Sequence, residues 1–163
     1  MEGYLGLGSN VGDPVAELRQ GVCELVARGV AIPLRSSLYQ TEPVGTSHPA
    51  WFVNAVAAIR FDGDPSALLE VCLSAERARG RERGERNGPR TLDIDILLLG
   101  AAVVSTPGLI VPHPRFHARR FVLEPMVEIA PDAVHPVLGK TMVHLLEECQ
   151  DSSRVVRLED AFA

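Results

Sequence analysis

Residues 86–100 read RNGPRTLDIDILLLG, a segment in which two acidic residues interrupt the pattern of a buried strand. Within it Leu92, Ile94 and Ile96 alternate with Asp93 and Asp95. Successive side chains of a strand point to opposite faces, so the apolar residues are predicted to enter a core while both aspartates share the other face. Carboxylates beside a core are costly unless a cation, a set of donors or water meets them. The acidic face is therefore either plainly solvated or built to meet a positive group.

The segments around this strand alternate between strand and helix patterns. Apolar runs bounded by Gly and Pro predict four strands, at 2–8, 32–42, 51–61 and 91–99. Asp13-Pro14 and Asp64-Pro65 each place a capping Asp before a Pro at the first helical position, which predicts a helix after each pair. The order β-α-β-β-α-β predicts an α+β fold with a ferredoxin-like antiparallel sheet core.

The C-terminal third is punctuated by prolines and is predicted to add to this core. Helices are expected at 121–131 and near 141–149, and a short strand follows the acidic strand. With 163 residues the whole chain, 1–163, is predicted to form a single domain.

Composition excludes several classes of protein. The net charge of −5 argues against a general nucleic-acid binder. No apolar run reaches the roughly 18 residues of a membrane span, and the N-terminus lacks a signal-peptide pattern. Cys23, Cys72 and Cys149 are widely spaced in predicted helices, which predicts buried, reduced thiols. These features predict a cytoplasmic protein without nucleic-acid or membrane partners.

Positive charge gathers just ahead of the acidic pair. Between Glu76 and Arg90 there are six arginines and three glutamates, so the segment is locally basic in an acidic chain. The forked guanidinium group suits phosphate oxygens. The plain alternative is a solvated, salt-bridged helix end, and spacing alone does not separate the two interpretations.

An acidic pair beside clustered arginines is typical of phosphoryl-transfer sites. Mg²⁺ favours carboxylates, phosphate oxygens and water as ligands. Two neighbouring carboxylates can hold two such ions, which clamp the attacking and leaving oxygens. The pattern therefore predicts Asp93 and Asp95 as metal ligands.

Two other patterns carry less information. GLGSNVG, residues 6–12, has the spacing of neither nucleotide-binding fingerprint, so its glycines are predicted to serve close packing and turns. His113 and His117 stand four apart, but Pro114 interrupts any regular helix face between them. They are not predicted to form a zinc site; a contact to an anion is the better functional hypothesis for them.

Seven sequence segments are distributed over about residues 4–132, and both their order and their spacing are informative. They are GLGSNVGDP, LYQTEPVG, FVNAV, GRER, RNGPRTLDIDIL, VPHPRF and RFVLEPMVEIAPD. Together they resemble the 6-hydroxymethyl-7,8-dihydropterin pyrophosphokinase family of folate biosynthesis. The resemblance implies an enzyme in which the hydroxymethyl oxygen of the pterin attacks the β-phosphorus of ATP. Pyrophosphate is transferred and AMP leaves, with ATP as co-substrate and two Mg²⁺ ions as cofactors.

The resemblance also implies roles for individual residues. Asp93 and Asp95 match the paired Mg²⁺ ligands. The catalytic arginines that contact phosphate are Arg81, Arg83 and Arg90. Further nucleotide contacts are Glu76, His113 and Arg119. The pterin-binding positions are Thr41, Glu42, Pro43, Val44, Gly45, Phe52, Asn54, Asp93 and Phe121.

Within the pterin set, Phe52 and Phe121 match two aromatics that sandwich the ring, and Asn54 matches the amide that reads its edge. Two positions depart from the family pattern. Asn87 stands where an aromatic residue is common, and Leu73 stands where a glutamine is common. These departures bear on loop closure and on one adenine-side contact, and not on the class of reaction.

Two other classes of function fit the same features. One is a two-metal nucleotidyl transferase or cyclase on a ferredoxin-like core, which would release pyrophosphate in place of AMP. The other is a non-catalytic ligand-binding domain of the same fold, which would release neither product.

Overall fold

The computed structural model of the chain describes residues 1–42, 51–80 and 92–159. The strands are β1 (Glu2–Ser9), β2 (Ala31–Arg35), β3 (Tyr39–Thr41), β4 (Phe52–Arg60), β5 (Asp93–Leu99), β6 (Val104–Thr106), β7 (Leu109–Val111) and β8 (Val155–Arg157). The helices are α1 (Pro14–Ala27), α2 (Pro65–Ala78), α3 (Arg120–Ile129) and α4 (Met142–Glu148), with a short 3-10 turn at Phe116–Ala118.

Six of these strands form one antiparallel sheet within the described residues. Its order is β5-β1-β4-β3-β8, and β2 also pairs with β4. Strand β1 lies between β4 and β5, so the acidic strand borders the centre of the sheet. The predicted antiparallel sheet with helices is confirmed.

Each face of the sheet carries its own hydrophobic cluster. Helices α1 and α2 cover one face, where Leu18, Leu25 and Leu68 pack on buried strand residues. The C-terminal helices cover part of the other face, where Phe116 and Met126 are fully buried. Burial of apolar area on both faces is the main stabilising term for such a sheet.

Both predicted helix starts are confirmed. Asp13 and Asp64 precede the first residues of α1 and α2, and their side chains accept hydrogen bonds from the N–H groups of Ala16 and Ala67. Each carboxylate thereby satisfies one of the free donors of a helix N-terminus.

The prediction of a single strand at 32–42 is wrong, because the structure divides this segment into β2 and β3. Arg35 pairs with Ala57, and Tyr39 pairs with Asn54. The chain therefore advances four residues from Arg35 to Tyr39 while β4 advances three. The extra residue makes a bulge. Ser36 stabilises it, since its hydroxyl accepts the N–H of Val56 in place of a backbone carbonyl.

A second irregularity lies in β5. Tyr4 pairs with Leu98 and Leu5 with Ile96, so Leu97 is the additional residue. Before it the predicted alternation holds: Leu92, Ile94 and Ile96 enter the α1–α2 cluster. From Leu97 onward the alternation of side chains is shifted by one residue, so Leu97 and Leu98 both enter the cluster beneath α3.

The predicted burial of the cysteines is wrong in part. All three are free thiols, but Cys23 is exposed and Cys149 is only partly buried. Cys72 is buried, and burial first, with the nearby charges of Glu76 and Asp95, raises its pKa to about 12. Among the described residues no helix is both long and apolar enough to cross a membrane.

Candidate active site

A row of residues crosses the sheet at the C-terminal end of β1. Gly8 lies opposite Asn54 in β4 and opposite Asp93 in β5. Directly opposed residues of antiparallel strands point to the same face, so Asn54 and Asp93 stand on either side of Gly8. This is the face that carries α3, because Val56, two residues beyond Asn54, packs in the cluster beneath that helix.

Gly8 has no room for a side chain. A Cβ built there would lie 2.6 Å from Oδ1 of Asn54, closer than real Cβ contacts come. Gly6, two residues earlier, is less constrained, since its Cβ would meet Leu97 at 3.5 Å. The glycine at position 8 therefore lets the Asn54 amide lie against the backbone of the central strand.

Asn54 is held by a second partner. It is buried, and its Nδ2 donates to the hydroxyl of Thr41 over 2.8 Å. Thr41 in β3 pairs with Phe52 in β4, so both side chains lie on the same face as Asn54. Phe52 is only half-buried. An aromatic ring and an oriented amide thus stand side by side at one end of the sheet.

Asp93 and Asp95 stand opposite Gly8 and Gly6, on the same face as Asn54. Both are half-buried. From α2, the buried carboxylate of Glu76 accepts the N–H of Ile94, between the two aspartates, over 2.8 Å. Since β5 is an edge strand, this bond satisfies a donor that no neighbouring strand reaches.

His113 lies in the segment after β7, and its N–H donates to Leu97 O in β5. Burial first, then the charges of Arg119 and Arg115, lowers its pKa to about 4, although Asp93 opposes the shift. Its Nδ1 accepts the N–H of Arg115 over 3.2 Å. At neutral pH the ring is therefore neutral, and because Nδ1 accepts a hydrogen bond, the ring proton lies on Nε2.

The start of α3 brings Arg119 and Phe121 to this end of the fold. The guanidinium carbon of Arg119 lies 5.7 Å from the centroid of the half-buried Phe121 ring, within the range of a cation–π contact. Asp151 accepts the N–H of Arg120 over 3.0 Å and holds the helix start. Burial would raise the pKa of Asp151, but hydrogen bonds from Ser153 and from Arg120 outweigh it and lower the pKa.

Residues 4–131 match the sequence model of the 7,8-dihydro-6-hydroxymethylpterin-pyrophosphokinase (HPPK) family. The chain belongs to this family. Among HPPK relatives, the 2-amino-4-hydroxy-6-hydroxymethyldihydropteridine pyrophosphokinase of Methylorubrum extorquens is 46% identical over 157 residues, covering 96% of the chain and 98% of the relative. The Bacillus subtilis protein of the same name is 45% identical over 127 residues, covering 77% of the chain and 76% of the relative.

The fold agrees with that of a solved HPPK-DHPS protein. The wild-type Plasmodium falciparum protein, crystallised with pteroate, superposes with a TM-score of 0.73 at 14% identity and covers 90% of this chain. The chain spans 44% of the length of that protein. At this identity the likeness concerns the fold alone. As an HPPK, the chain is an enzyme of the diphosphotransferase class.

The structure brings most of the described candidates to one region of the HPPK fold. Asp93, Asp95, Asn54, Phe52 and Thr41 share one sheet face, with the β5 residues on one side of Gly8 and the β3 and β4 residues on the other. The charges of Arg119 and Asp93 both act on His113. Six candidates lie outside the described residues, which are Arg81, Arg83, Arg90, Pro43, Val44 and Gly45, and so does Asn87, one of the two positions that depart from the family pattern.

Three further residues of the set have specific surroundings. Glu76 binds the backbone of β5, and its contact with ATP stays a prediction. The carboxylate of Glu42 accepts the N–H of Arg154, and the N–H of Glu42 donates to Arg154 O, so its pterin role stays a prediction. The ring of His117 packs edge-on against the ring of His135, with the ring centroids 6.0 Å apart.

The sequence predicts Thr41 and Asn54 as site residues but does not predict the contacts that orient the site. The bond between Thr41 and Asn54 joins two strands, and so does the contact of Asn54 with Gly8, so neither has a local signal. Glu128, near the end of α3, was not a candidate, yet it binds Ser37 and Tyr39. Its partners lie about ninety residues earlier in the chain, so no local signal in the sequence of α3 identifies it.

Proposed function

We propose that this chain transfers pyrophosphate from ATP to 6-hydroxymethyl-7,8-dihydropterin and releases AMP, a step of folate biosynthesis. The hydroxymethyl oxygen of the pterin attacks the β-phosphorus. The bond from that phosphorus to the oxygen bridging to the α-phosphorus breaks, and the hydroxyl proton is lost. The observation that carries the proposal is the row Asn54–Gly8–Asp93, an oriented amide beside an acidic pair, in a chain of the HPPK family.

The pterin is assigned to the side of Asn54. Because Nδ2 of Asn54 already donates to Thr41, Oδ1 is the atom that accepts from a ring N–H. Phe52 and Phe121 are assigned to the two faces of the pterin ring. Both side chains are half-buried, so each keeps exposed surface on which a ring can stack. The backbone of residues 41–45 is assigned to the pocket wall.

The nucleotide is assigned to the side of Asp93. Neutral His113 can donate its Nε2 proton to a phosphate oxygen, and Arg119 can add positive charge beside it. Glu76 holds β5 at Ile94, which fixes the spacing of both aspartates. The arginines at 81, 83 and 90 remain assigned to phosphate on the resemblance alone.

The donor set of Asp93 and Asp95 fits Mg²⁺. The described residues contain no group of three or more His, Cys, Asp or Glu that could enclose a metal ion. Mg²⁺ does not need such a cage, since it commonly takes one or two carboxylates and completes its shell with phosphate oxygens and water. When bound, two Mg²⁺ ions would neutralise charge on the triphosphate and orient it.

We also assign the sheet to the ferredoxin-like class and residues 1–163 to a single domain. The order of β5, β1 and β4, with β2 and β3 together beyond β4, supports the topology. Helices α1 and α2 on one face support it as well. Two clusters on opposite faces of one sheet support a single folding unit.

The deciding experiment identifies the small product. Purified protein is mixed with ATP, Mg²⁺ and the pterin, and nucleotides are separated by chromatography. The proposal expects AMP and pyrophosphorylated pterin in equal amounts, and no AMP when the pterin is left out. Release of free pyrophosphate would identify a nucleotidyl transferase, and absence of any product would identify a non-catalytic binding domain.

A further inference from the structure

One carboxylate fastens the C-terminal end of α3 to the sheet. Glu128 Oε1 accepts the N–H of Ser37 over 2.9 Å and the hydroxyl of Tyr39 over 2.7 Å. Its Oε2 accepts the hydroxyl of Ser37 over 2.7 Å, and Nη2 of Arg157 in β8 lies 3.3 Å away. Glu128 and Ser37 are 91 residues apart in the chain. We name this set of four residues the Glu128 clasp.

The Glu128 clasp combines hydrogen bonds from three donor groups with one ion pair on a single carboxylate. Burial would raise the pKa of Glu128, but hydrogen bonds from Tyr39 and Ser37 outweigh it, so the pKa is lowered and the carboxylate stays ionised. Burial first, and then the bond to Glu128, raises the pKa of Tyr39, which keeps its proton. Hydrogen bonds to an ionised acceptor are about twice as strong as neutral ones.

The clasp joins two elements that carry opposite sides of the proposed pterin site. Tyr39 is two residues before Thr41 in β3, and Thr41 holds the amide of Asn54. Phe121 is seven residues before Glu128 in α3, and two helical turns place both residues on the same helix face. Asp151 holds the other end of α3 at Arg120.

We infer that Glu128 is a positioning residue for pterin recognition: by fixing β3 against α3 it sets the spacing between the Asn54 amide and the Phe121 ring. This inference rests on the proposed function. Glu128 acts through Ser37 and Tyr39 and is assigned no contact with either substrate. A ring bound between an amide and an aromatic side chain tolerates little displacement of either, so loss of the clasp weakens binding of the pterin selectively.

The test compares Glu128→Gln with Glu124→Gln in the full-length chain. Glu124 lies one turn earlier on α3 and pairs with Arg120 over 3.1 Å, so the control makes the same charge change on the same helix. Both variants and the wild type are assayed for kcat and for the KM of the pterin and of MgATP. Pterin affinity is also measured by calorimetry, and the folded fraction by urea unfolding.

For Glu128→Gln we expect the KM and dissociation constant of the pterin to rise about tenfold, as the loss of one charge-assisted hydrogen bond predicts. The KM of MgATP stays within about twofold of wild type, and Glu124→Gln leaves both constants near wild type. Tyr39→Phe, which removes one donor and keeps the ring, gives a smaller change in the same direction.

Three results would overturn the inference. Glu128→Gln and Glu124→Gln could give the same pterin constants, Glu128→Gln could raise both KM values alike, or it could lower kcat only in proportion to the folded fraction. If the wild type itself neither binds nor uses the pterin, the proposed function fails, and the inference falls with it. A wild type that uses the pterin, with indistinguishable variants, overturns the role of Glu128 alone.

Discussion

Single atoms determine what the candidate site can do. Asp93 and Asp95 bring two negative charges to one face of one strand, and nothing in the apolar alternation of β5 requires them there. Asn54 lies against a glycine because any larger residue at position 8 would meet its Oδ1. A sheet with a purely structural role would carry apolar side chains at these positions. The acidic pair and the packed amide therefore indicate a functional role.

Asp95→Asn should abolish turnover and leave the fold intact. The amide has nearly the same shape, removes one negative charge from the proposed Mg²⁺ site and relieves repulsion within the acidic pair of the metal-free protein. We expect AMP release to fall about 100-fold or more, as the loss of several kcal/mol of charge stabilisation implies, while the midpoint of thermal unfolding stays the same or rises. Asp132→Asn changes an exposed aspartate and is the control. Unfolding of the Asp95 variant where wild type is stable would argue for a structural role.

Gly8→Ala and Gly6→Ala form a matched pair that tests the packing of Asn54. The added methyl group at position 8 would lie 2.6 Å from Oδ1 of Asn54, whereas the one at position 6 would meet Leu97 at an ordinary 3.5 Å. Displacing a well-packed group costs about 1–3 kcal/mol, so we expect pterin affinity to fall about tenfold or more in Gly8→Ala. Gly6→Ala should bind the pterin nearly as wild type does. Equal affinities in a calorimetric titration would show that Asn54 does not read the ring.

Helices and strands position these atoms through a few bonds between elements. Glu76 reaches from the last turn of α2 to the edge of β5, where its carboxylate accepts the N–H of Ile94. Arg79, at the end of the same helix, forms a forked pair with Glu17 of α1 at 2.9 and 3.0 Å. Helix α2 is thereby tied both to the acidic strand and to its neighbouring helix.

Glu76→Ala should loosen the acidic strand, and Glu76→Gln should largely restore it. Removing the carboxylate leaves the N–H of Ile94 unpaired in a buried place, which costs about 1–3 kcal/mol, whereas the glutamine amide keeps an acceptor oxygen. We expect a lower free energy of unfolding in urea for the alanine variant and faster amide exchange at Ile94. Glu70→Ala, an exposed change on the same helix, should match wild type. Normal exchange at Ile94 in Glu76→Ala would show that the bond does not hold β5.

The sequence predicts elements whose cause is local and misses those whose cause is distant. Asp13 and Asp64 cap their helices as expected, because each capping carboxylate and the N–H group that donates to it lie within one turn. The division of strand 32–42 at Ser36 depends on a bond to Val56, and β8 depends on pairing with β3. The aspartates of the candidate site could be found in one line of sequence, but the Glu128 clasp needs partners about ninety residues away.

The whole molecule distributes stability and function over the two faces of one sheet. The face beneath α1 and α2 is closed by a continuous apolar cluster, and the candidate site residues stand on the other face. There the C-terminal helices cover only part of the sheet, and the end of β1 next to Gly8 carries polar residues. A change in the C-terminal third can therefore alter substrate recognition without touching the acidic strand.

Two histidines of this C-terminal third make stability depend on pH. Burial first, and then the charge of His117, lowers the pKa of His135, and its Nδ1 accepts the N–H groups of Val137 and Leu138. The pKa of His113 is lowered to about 4, mainly by burial. In the unfolded chain both histidines have a pKa of about 6.5. Below that pH the unfolded chain therefore binds protons that the folded chain does not bind. This stabilisation is complete above that value and is lost as pH falls toward the folded-state pKa values.

The free energy of unfolding should therefore decline between about pH 6.5 and 4, before most of the carboxylates titrate. His135→Asn keeps an acceptor near the position of Nδ1 but cannot titrate, so its decline should be shallower than that of wild type. His144→Asn is the control, since the His144 side chain is 51% exposed and pairs with Glu148 on α4. Urea unfolding at half-unit steps of pH measures all three slopes. Parallel slopes for wild type and His135→Asn would mean that His135 binds its proton equally well in the folded and unfolded states. A shallower slope confined to His135→Asn would tie the loss of stability in acid to the packing of the His135 ring on Phe116.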